Sequence, residues 1–242
     1  TTGTLTATYD NPSNNFATMN PLEFMNSTPT WANGNTTYTQ GGTSLYYPAS
    51  GTMGLTAGKW YWEVQSTNGA NNSSLLGIAG DASNTGNMVG SNNQVLGYTT
   101  QQWGYYGNNG NYRTNDGNVA YGSGFYGNVI IGVYLDLDNN KLYFGNAGTI
   151  QNSGTGIDIT AASSTDAGYY VPASNYWGGS DTFQYNFGNG YFGTTAVSSA
   201  VADAGGIGAF EYDPSDGGAS SFDGSAKDFR AICTKNIKAY GG

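Results

Sequence analysis

The chain has no histidine, one cysteine, three glutamates and only seven basic residues in 242 positions. Each scarcity closes a class of function. Without histidine, the Ser-His-Asp and Cys-His arrangements of nucleophilic catalysis cannot be built. A lone cysteine, Cys233, allows no intramolecular disulfide. It sits in the strand-like run Phe229-Arg-Ala-Ile-Cys-Thr234 and reads as a small buried hydrophobe. No stretch approaches the roughly 18 apolar residues that a membrane helix needs, so membrane insertion is not expected. Thr1 to Thr8 lacks the basic and then apolar layout of a signal peptide. That fits a chain made and assembled in a cytoplasm, or one already processed. The net charge is −9 and no basic patch exists. Nucleic acid and anionic membrane surfaces are therefore not expected as partners.

What is abundant points elsewhere. There are 39 Gly, 28 Asn and 20 Tyr. Gly and Asn tolerate positive φ and build tight turns. Tyr and other aromatics suit pleated, half-buried surfaces. The 14% aromatic content also argues against disorder. Short strands joined by many turns follow, with enough chain to bury a core without staples.

The runs bear this out along the chain. Thr4–Tyr9 alternates as a first strand, and Thr36–Gln40 follows the turn Trp31–Asn35. Gly58-Lys-Trp-Tyr-Trp-Glu-Val64 predicts a central strand, Leu75–Ala79 a short apolar one, and Gln94–Tyr106 another. Residues 80–94 read as a polar loop. Gly107-Asn-Asn-Gly-Asn111 is a tight positive-φ turn. Val129–Asp136, Asp138–Asn140 and Lys141–Phe144 read as strand, turn, strand. Tyr169–Ala173 and Thr182–Phe187 give two more strands.

Several residues could carry chemistry. A glycosidase needs two carboxylates roughly 5 to 9.5 Å apart across a cleft. Only Glu23, Glu63 and Glu211 are glutamates. Glu63 lies within a strand, where a wet-face carboxylate or one held by backbone donors is the plainer reading. Asp136-x-Asp138-x-Asn140 opens like an EF-hand loop, but the sixth position is Lys141 and the twelfth Ala147. Asx-type capping of the hairpin explains the pair better. Asp213, Asp216 and Asp223 mark an acidic stretch where Ca²⁺ could collect adventitiously. No metal site, cofactor or catalytic residue is expected.

The binding candidate is Trp103-Gly-Tyr-Tyr-Gly-Asn-Asn-Gly-Asn-Tyr-Arg113. Trp103, Tyr105, Tyr106, Asn108, Asn109, Tyr112 and Arg113 could stack on a sugar and ring it with amides, or act as a Tyr/Asn/Gly contact surface. Leu45-Tyr-Tyr-Pro48 has similar but poorer chemistry. Equally, Trp103 and one Tyr could be core while Asn and Gly build the turn. Aromatic enrichment with few Lys and Glu also suits an assembly interface.

Six of these runs, in order, resemble the SPRY-domain family. Gly58–Val64 is similar to its Gly-Lys-x-Tyr-(Trp/Phe)-Glu-Val strand and Gly77-Ile-Ala79 to the strand after it. Trp103-Gly-Tyr-Tyr106 resembles the next aromatic strand. Ile131–Asp138 with Lys141–Phe144 looks like the family hairpin, and Tyr170–Ala173 and Phe183–Gly188 look like its late strands. The resemblance implies an all-β, concanavalin-like antiparallel β-sandwich of jelly-roll kind. It would be a single domain over 1–242, with core motifs at 58–188. A long loop excursion at 193–224 and a closing strand and tail at 229–242 complete it. The flanks Asn11–Leu22 and Phe229–Ile237 resemble SPRY-type modules of bacteriophage proteins, particularly marine ones. They imply a virion protein, exposed on the particle, with other virion proteins as partners. A host surface glycan and a second copy of the chain are further partner expectations. The loops match no peptide-binding signature of the family, so that activity is not carried over.

Overall fold

Trp60, Trp62 and Val64 alternate with Tyr61 and Glu63 along one strand, and all five side chains are buried. A strand buried on both faces needs a layer on each side. The computed structural model supplies both. It describes residues 10–22, 29–43, 49–67, 73–81, 95–176, 179–214, 222 and 228–241. The expected strand Thr4–Tyr9, the run Leu45–Pro48, most of the 80–94 loop, Glu23, Asp216 and Asp223 lie outside them.

Two antiparallel sheets form the sandwich. The larger is built from β1 (Thr30–Ala32), β2 (Thr37–Thr43), β4 (Lys59–Ser66), β9 (Ile130–Asp136), β10 (Lys141–Asn146), β11 (Thr149–Ile150) and β14 (Gly179–Asn186). Its order is β1-β2-β14-β4-β9-β10-β11. β12 (Ile157–Asp158) pairs with β10, and β17 (Arg230–Ala231) runs parallel to β4. The smaller sheet runs β3-β13-β5-β6-β7-β8. Its strands are β3 (Ala49–Ser50), β5 (Leu75–Ala79), β6 (Gln102–Tyr106), β7 (Tyr112–Thr114), β8 (Gly117–Val119) and β13 (Val171–Asn175). A separate hairpin joins β15 (Tyr191–Phe192) to β16 (Thr195–Ala196).

Register decides which side chains meet. Trp60, Trp62 and Val64 pair with Leu135, Val133 and Ile131, and Phe183 and Tyr185 extend the same face. This face packs on the smaller sheet. The Tyr105 ring stacks on Phe144 at 4.8 Å between centroids. Polar bridges cross the same gap. Tyr38 and Tyr185 both hydrogen-bond the Ser174 hydroxyl, and Asp181 accepts from Ser66 at 2.6 Å and Ser74 at 2.8 Å. These crossing hydroxyls and the Asp181 carboxylate tolerate burial because they satisfy one another.

The opposite face of the larger sheet carries Tyr61, Glu63, Tyr134 and Tyr143. Described residues after 200 fold back over it. Phe210 meets Tyr61 edge-on at 4.9 Å, and Phe229 and Phe222 each meet Tyr134 edge-on at 5.2 Å. Gly132 makes the room. A Cβ there would sit 2.9 Å from the Tyr61 ring and hydroxyl. The described part of the 193–224 excursion is thus a cover over the sheet.

Three expectations need correction. The turn expected over Trp31–Asn35 is confined to Asn33–Asn35, because Trp31 and Ala32 pair with Tyr38 and Thr37 in β1. Gln94 lies outside the described residues, and Val95–Tyr106 is not one strand, because only Gln102–Tyr106 is extended. Gly97 at φ +93 turns the chain, and its N–H bonds the Gln102 side chain at 3.1 Å. The closing strand falls within Phe229–Ile232 as expected, but Lys238–Tyr240, expected as tail, belongs to a helix. After Arg230–Ala231 comes a helix, α1 (Thr234–Tyr240). It is too short to be stable alone, so tertiary contacts hold it. Asn236 donates to Asp203 at 2.7 Å, and the Arg230 guanidinium sits 3.8 Å over the Tyr240 ring. Cys233 is buried as expected, and burial pushes its thiol up.

Candidate functional site

β6 runs out toward one rim of the sandwich and turns back through Gly107–Asn111. Strand alternation splits its aromatics. Trp103 and Tyr105 pair across to Ile78 and Leu76 and point into the core. Trp103 is 4% exposed and Tyr105 is 0%. Trp103 meets Tyr170 edge-on at 5.9 Å. The Tyr105 hydroxyl donates to the Ser123 carbonyl, and burial pushes this phenol up to about 12. Neither ring can stack on a ligand while it stays there. Tyr106 faces the other side and packs beside Leu75. Tyr112 is half-buried, edge-on to Tyr121 at 6.0 Å. Arg113 is half-buried too and is engaged within its own hairpin, by Asp116 at 2.7 Å and Asn118 at 3.5 Å. Only Asn108 and Asn109 stand fully exposed at the tip. Even there, Asn109 spends its side-chain oxygen on the Asn111 N–H at 2.9 Å.

A second loop completes the rim. Residues 121–128 lie alongside the turn. Gly122 N–H bonds the Gly110 carbonyl and Phe125 N–H the Gly107 carbonyl, both at 2.8 Å. Gly110 sits at φ +73, and a Cβ on it would approach the Gly122 carbonyl to 2.2 Å. Glycine is what lets the two loops touch. Asn146, at the end of β10, clamps them by donating to the Ser123 and Gly124 carbonyls at 3.3 and 3.2 Å. Tyr126 emerges from this frame 59% exposed, followed by Gly127 and Asn128 at positive φ. Sequence reasoning passed over Tyr126. Its signal was an aromatic directly before Gly127-Asn128 in a stretch with no strand period.

The rim's exposed groups are amides, hydroxyls and one phenol ring: Asn108, Asn109, Ser123, Tyr126 and Asn128. Loops pinned by backbone hydrogen bonds lose little entropy when they bind.

The carboxylates considered for chemistry lie elsewhere. Glu63 is buried under the cover. It accepts from Tyr61 Oη at 2.9 Å, Asn186 Nδ2 at 2.9 Å, Glu211 N at 3.0 Å and Tyr212 N at 2.8 Å. Burial raises it to about 7 against these donors, which pull it down. Backbone donors hold it, as one of the two sequence expectations has it. Glu211 is held below the usual carboxylate range by the Ser198 hydroxyl. Asp136 accepts from Asn139 N at 3.0 Å and Nδ2 at 2.8 Å, the expected Asx cap. Lys59 adds an ion pair at 3.4 Å. Asp138 instead receives the Gly58 N–H at 2.9 Å. Among the described residues, no group of three or more Cys, Asp or Glu side chains could hold a metal ion. No helix among them is long and apolar enough to cross a membrane.

Three comparisons bear on this arrangement. The family model of the SPRY domain matches residues 59–189. The SPRY domain of human HERC1 is similar in structure, with a TM-score of 0.52 at 16% identity; the match covers 69% of this chain and 96% of that one. Stonustoxin is similar with a TM-score of 0.50 at 19% identity, over 70% of this chain. The match spans 27% of the stonustoxin chain. At these identities the structural likeness speaks for the fold. No curated protein sequence matches the chain.

Proposed function

The chain belongs to the SPRY domain family, and from that premise we propose that it works by non-covalent contact through the rim, as a structural component of a bacteriophage particle. The observation that carries the reading is the rim itself. Two loops, cross-tied by backbone hydrogen bonds, present Tyr126 among Asn108, Asn109, Ser123 and Asn128. A rigid exposed aromatic ringed by small polar groups is the chemistry of a protein-contact surface. The setting rests on the resemblance of the flanking segments to phage modules. It rests also on a composition poor in charge and rich in Tyr and Asn, which suits packing between neighbouring subunits. Capsid decoration, fibre and tail adsorption component are the roles such a subunit fills.

The protein acts without catalysis in this reading. Glu63 supports that view, since a carboxylate with no exposed surface has no route to substrate. The glycan alternative at the hairpin tip is weakened, because Trp103 and Tyr105 are committed to the core.

Quantitative mass spectrometry of purified particles tests the proposal. A structural component is present at a fixed copy number relative to the major capsid protein. Its absence from purified particles refutes the setting. Loss of particle incorporation in Tyr126→Ala with Asn108→Ala, in a protein of unchanged melting temperature, supports the rim as the contact. Undiminished incorporation removes the rim from the interface.

A further inference from the structure

Read along the sequence, the seven basic residues form no patch, but their placement is uneven. Residues 1–226 hold three of them, Lys59, Arg113 and Lys141, against fifteen Asp and Glu. Lys227, Arg230, Lys235 and Lys238 follow within twelve positions, with Asp228 the one acid among them. Lys227 lies outside the described residues.

The fold treats the two groups differently. Every cation of the first group has a carboxylate. Lys59 has Asp136 at 3.4 Å, Arg113 has Asp116 at 2.7 Å and Lys141 has Asp158 at 2.7 Å. Among the described residues, the side chains of Arg230, Lys235 and Lys238 make no ion pair and no hydrogen bond.

Their settings are fixed all the same. Arg230 is half-buried in β17, its guanidinium 3.8 Å over the 48% exposed Tyr240 ring. Stacking holds the planar fork and leaves its N–H donors for a carboxylate, which the fork can grip bidentately. Asp203 is close, since a Cβ on Gly205 would touch Arg230 Nη1 at 2.9 Å and Asp203 Oδ1 at 3.3 Å. But Asp203 is buried and accepts from Gly205, Ile207, Ala231 and Asn236 instead. Lys235 and Lys238 are exposed and three residues apart, so they share one side of α1. Like charges at that spacing repel, and an opposing carboxylate relieves them. The helix that carries them is tied to the body. Asn14 Oδ1 accepts from Lys235 N at 3.2 Å, Thr234 Oγ1 from Asn15 N at 3.0 Å, and Thr56 donates to the Gly241 carbonyl at 2.6 Å.

The chain itself carries the missing anions. Residues 142–226 contain eight acids and no base. Of these, Asp166 and Asp213 are exposed and Glu211 is half-buried. Within one copy they do not meet the three unpaired cations. A neighbouring copy is free of that constraint. Pairing α1 with α1 would set like charges together, so the cations of one copy face carboxylates of the other.

We propose that Arg230, Lys235 and Lys238 form a docking surface for a second copy of this chain, through that copy's exposed carboxylates. The contact stands apart from the Tyr126 rim and needs no particle.

Sedimentation velocity of the purified chain in about 0.1 M NaCl tests it. Self-association with Kd of about 100 µM is expected. Lys235→Gln with Lys238→Gln weakens it about fivefold or more at an unchanged melting temperature. Arg230→Lys keeps the charge, loses the fork and weakens it as well. Asn108→Asp with Asn109→Asp lowers the net charge by the same two units at the rim and leaves association unchanged. The double lysine variant keeps its carboxylates, so it still forms a mixed complex with the parent chain. A chain that stays monomeric to about 1 mM overturns the proposal. So does association that survives the lysine and arginine substitutions, or that falls equally with the rim control. Absence of the mixed complex overturns it too.

Discussion

Glu63→Gln should reverse its effect on stability with pH. In the folded chain, burial raises the Glu63 carboxyl from its ordinary 4.5 to about 7. The folded state therefore holds the proton more tightly than the unfolded one. Unfolding releases that proton between pH 4.5 and about 7, and stability falls as pH rises through this window. Below pH 4.5 the contribution is fully present. Above about 7 it is gone. At 1.36 kcal/mol per pH unit, the difference amounts to about 3 kcal/mol.

Glutamine carries no such pH dependence, but it has a fixed cost. Asn186 Nδ2 and Glu211 N point at one oxygen, Tyr61 Oη and Tyr212 N at the other. Asn186 cannot flip to help, because its own oxygen accepts from Gly188 and Gly190. The new amide nitrogen must face the Tyr61 side, where the hydroxyl can turn to accept. Tyr212 N–H is then orphaned, at about 1–3 kcal/mol. The variant should be less stable than the parent at pH 5 by about that amount. At pH 8 the parent bears its ionisation cost, and the gap should close or change sign. Urea unfolding at both pH values measures it. The other carboxylates cancel in the comparison. A stability gap of the same size and sign at pH 5 and pH 8 would refute the assignment of the slope to Glu63.

Two further outcomes check the packing. Gly132→Ala places a methyl 2.9 Å from the Tyr61 ring. It should cost about 1–3 kcal/mol and lower the urea midpoint, and an unchanged midpoint refutes the close approach. Tyr105→Ala should cost about 3–5 kcal/mol as a core truncation, while Tyr126→Ala should stay within about 0.5 kcal/mol. Thermal melts that rank the two the other way would put Tyr105 at the surface.

The short apolar runs bounded by turn residues were legible as strands from the sequence. Leu75–Ala79 is extended over the predicted span, and the hairpin from Ile130 to Asn146 turns where Asp138–Asn140 predicts. The two-sheet architecture came from resemblance rather than periodicity. β4 is buried on both faces, so it shows no polar and apolar alternation to read. Which face of β6 looks inward was not legible either. Trp103 and Tyr105 alternate with Gly104 and Tyr106, and aromatics stand on both sides. Register with Ile78 and Leu76 settles it, and register is a long-range property. α1 escaped because seven residues are too few for a helical period to emerge, and its Asp203 partner lies 33 residues away from Asn236.

The cover closes the outer face of the larger sheet. Here Phe210, Phe222 and Phe229 occupy that face, and Glu63 ties the cover down through Glu211 and Tyr212. Asp203 makes a second tie. It accepts from Gly205, Ile207, Ala231 and Asn236, which joins the cover to β17 and α1. Two buried carboxylates with four donors each are costly to disturb, since removing one partner strands the others. The cover therefore belongs to the fold and is not a gate. The exposed Tyr126 stands instead at a loop end of the sandwich, where the Gly122–Gly110 and Phe125–Gly107 backbone bonds hold the rim in place.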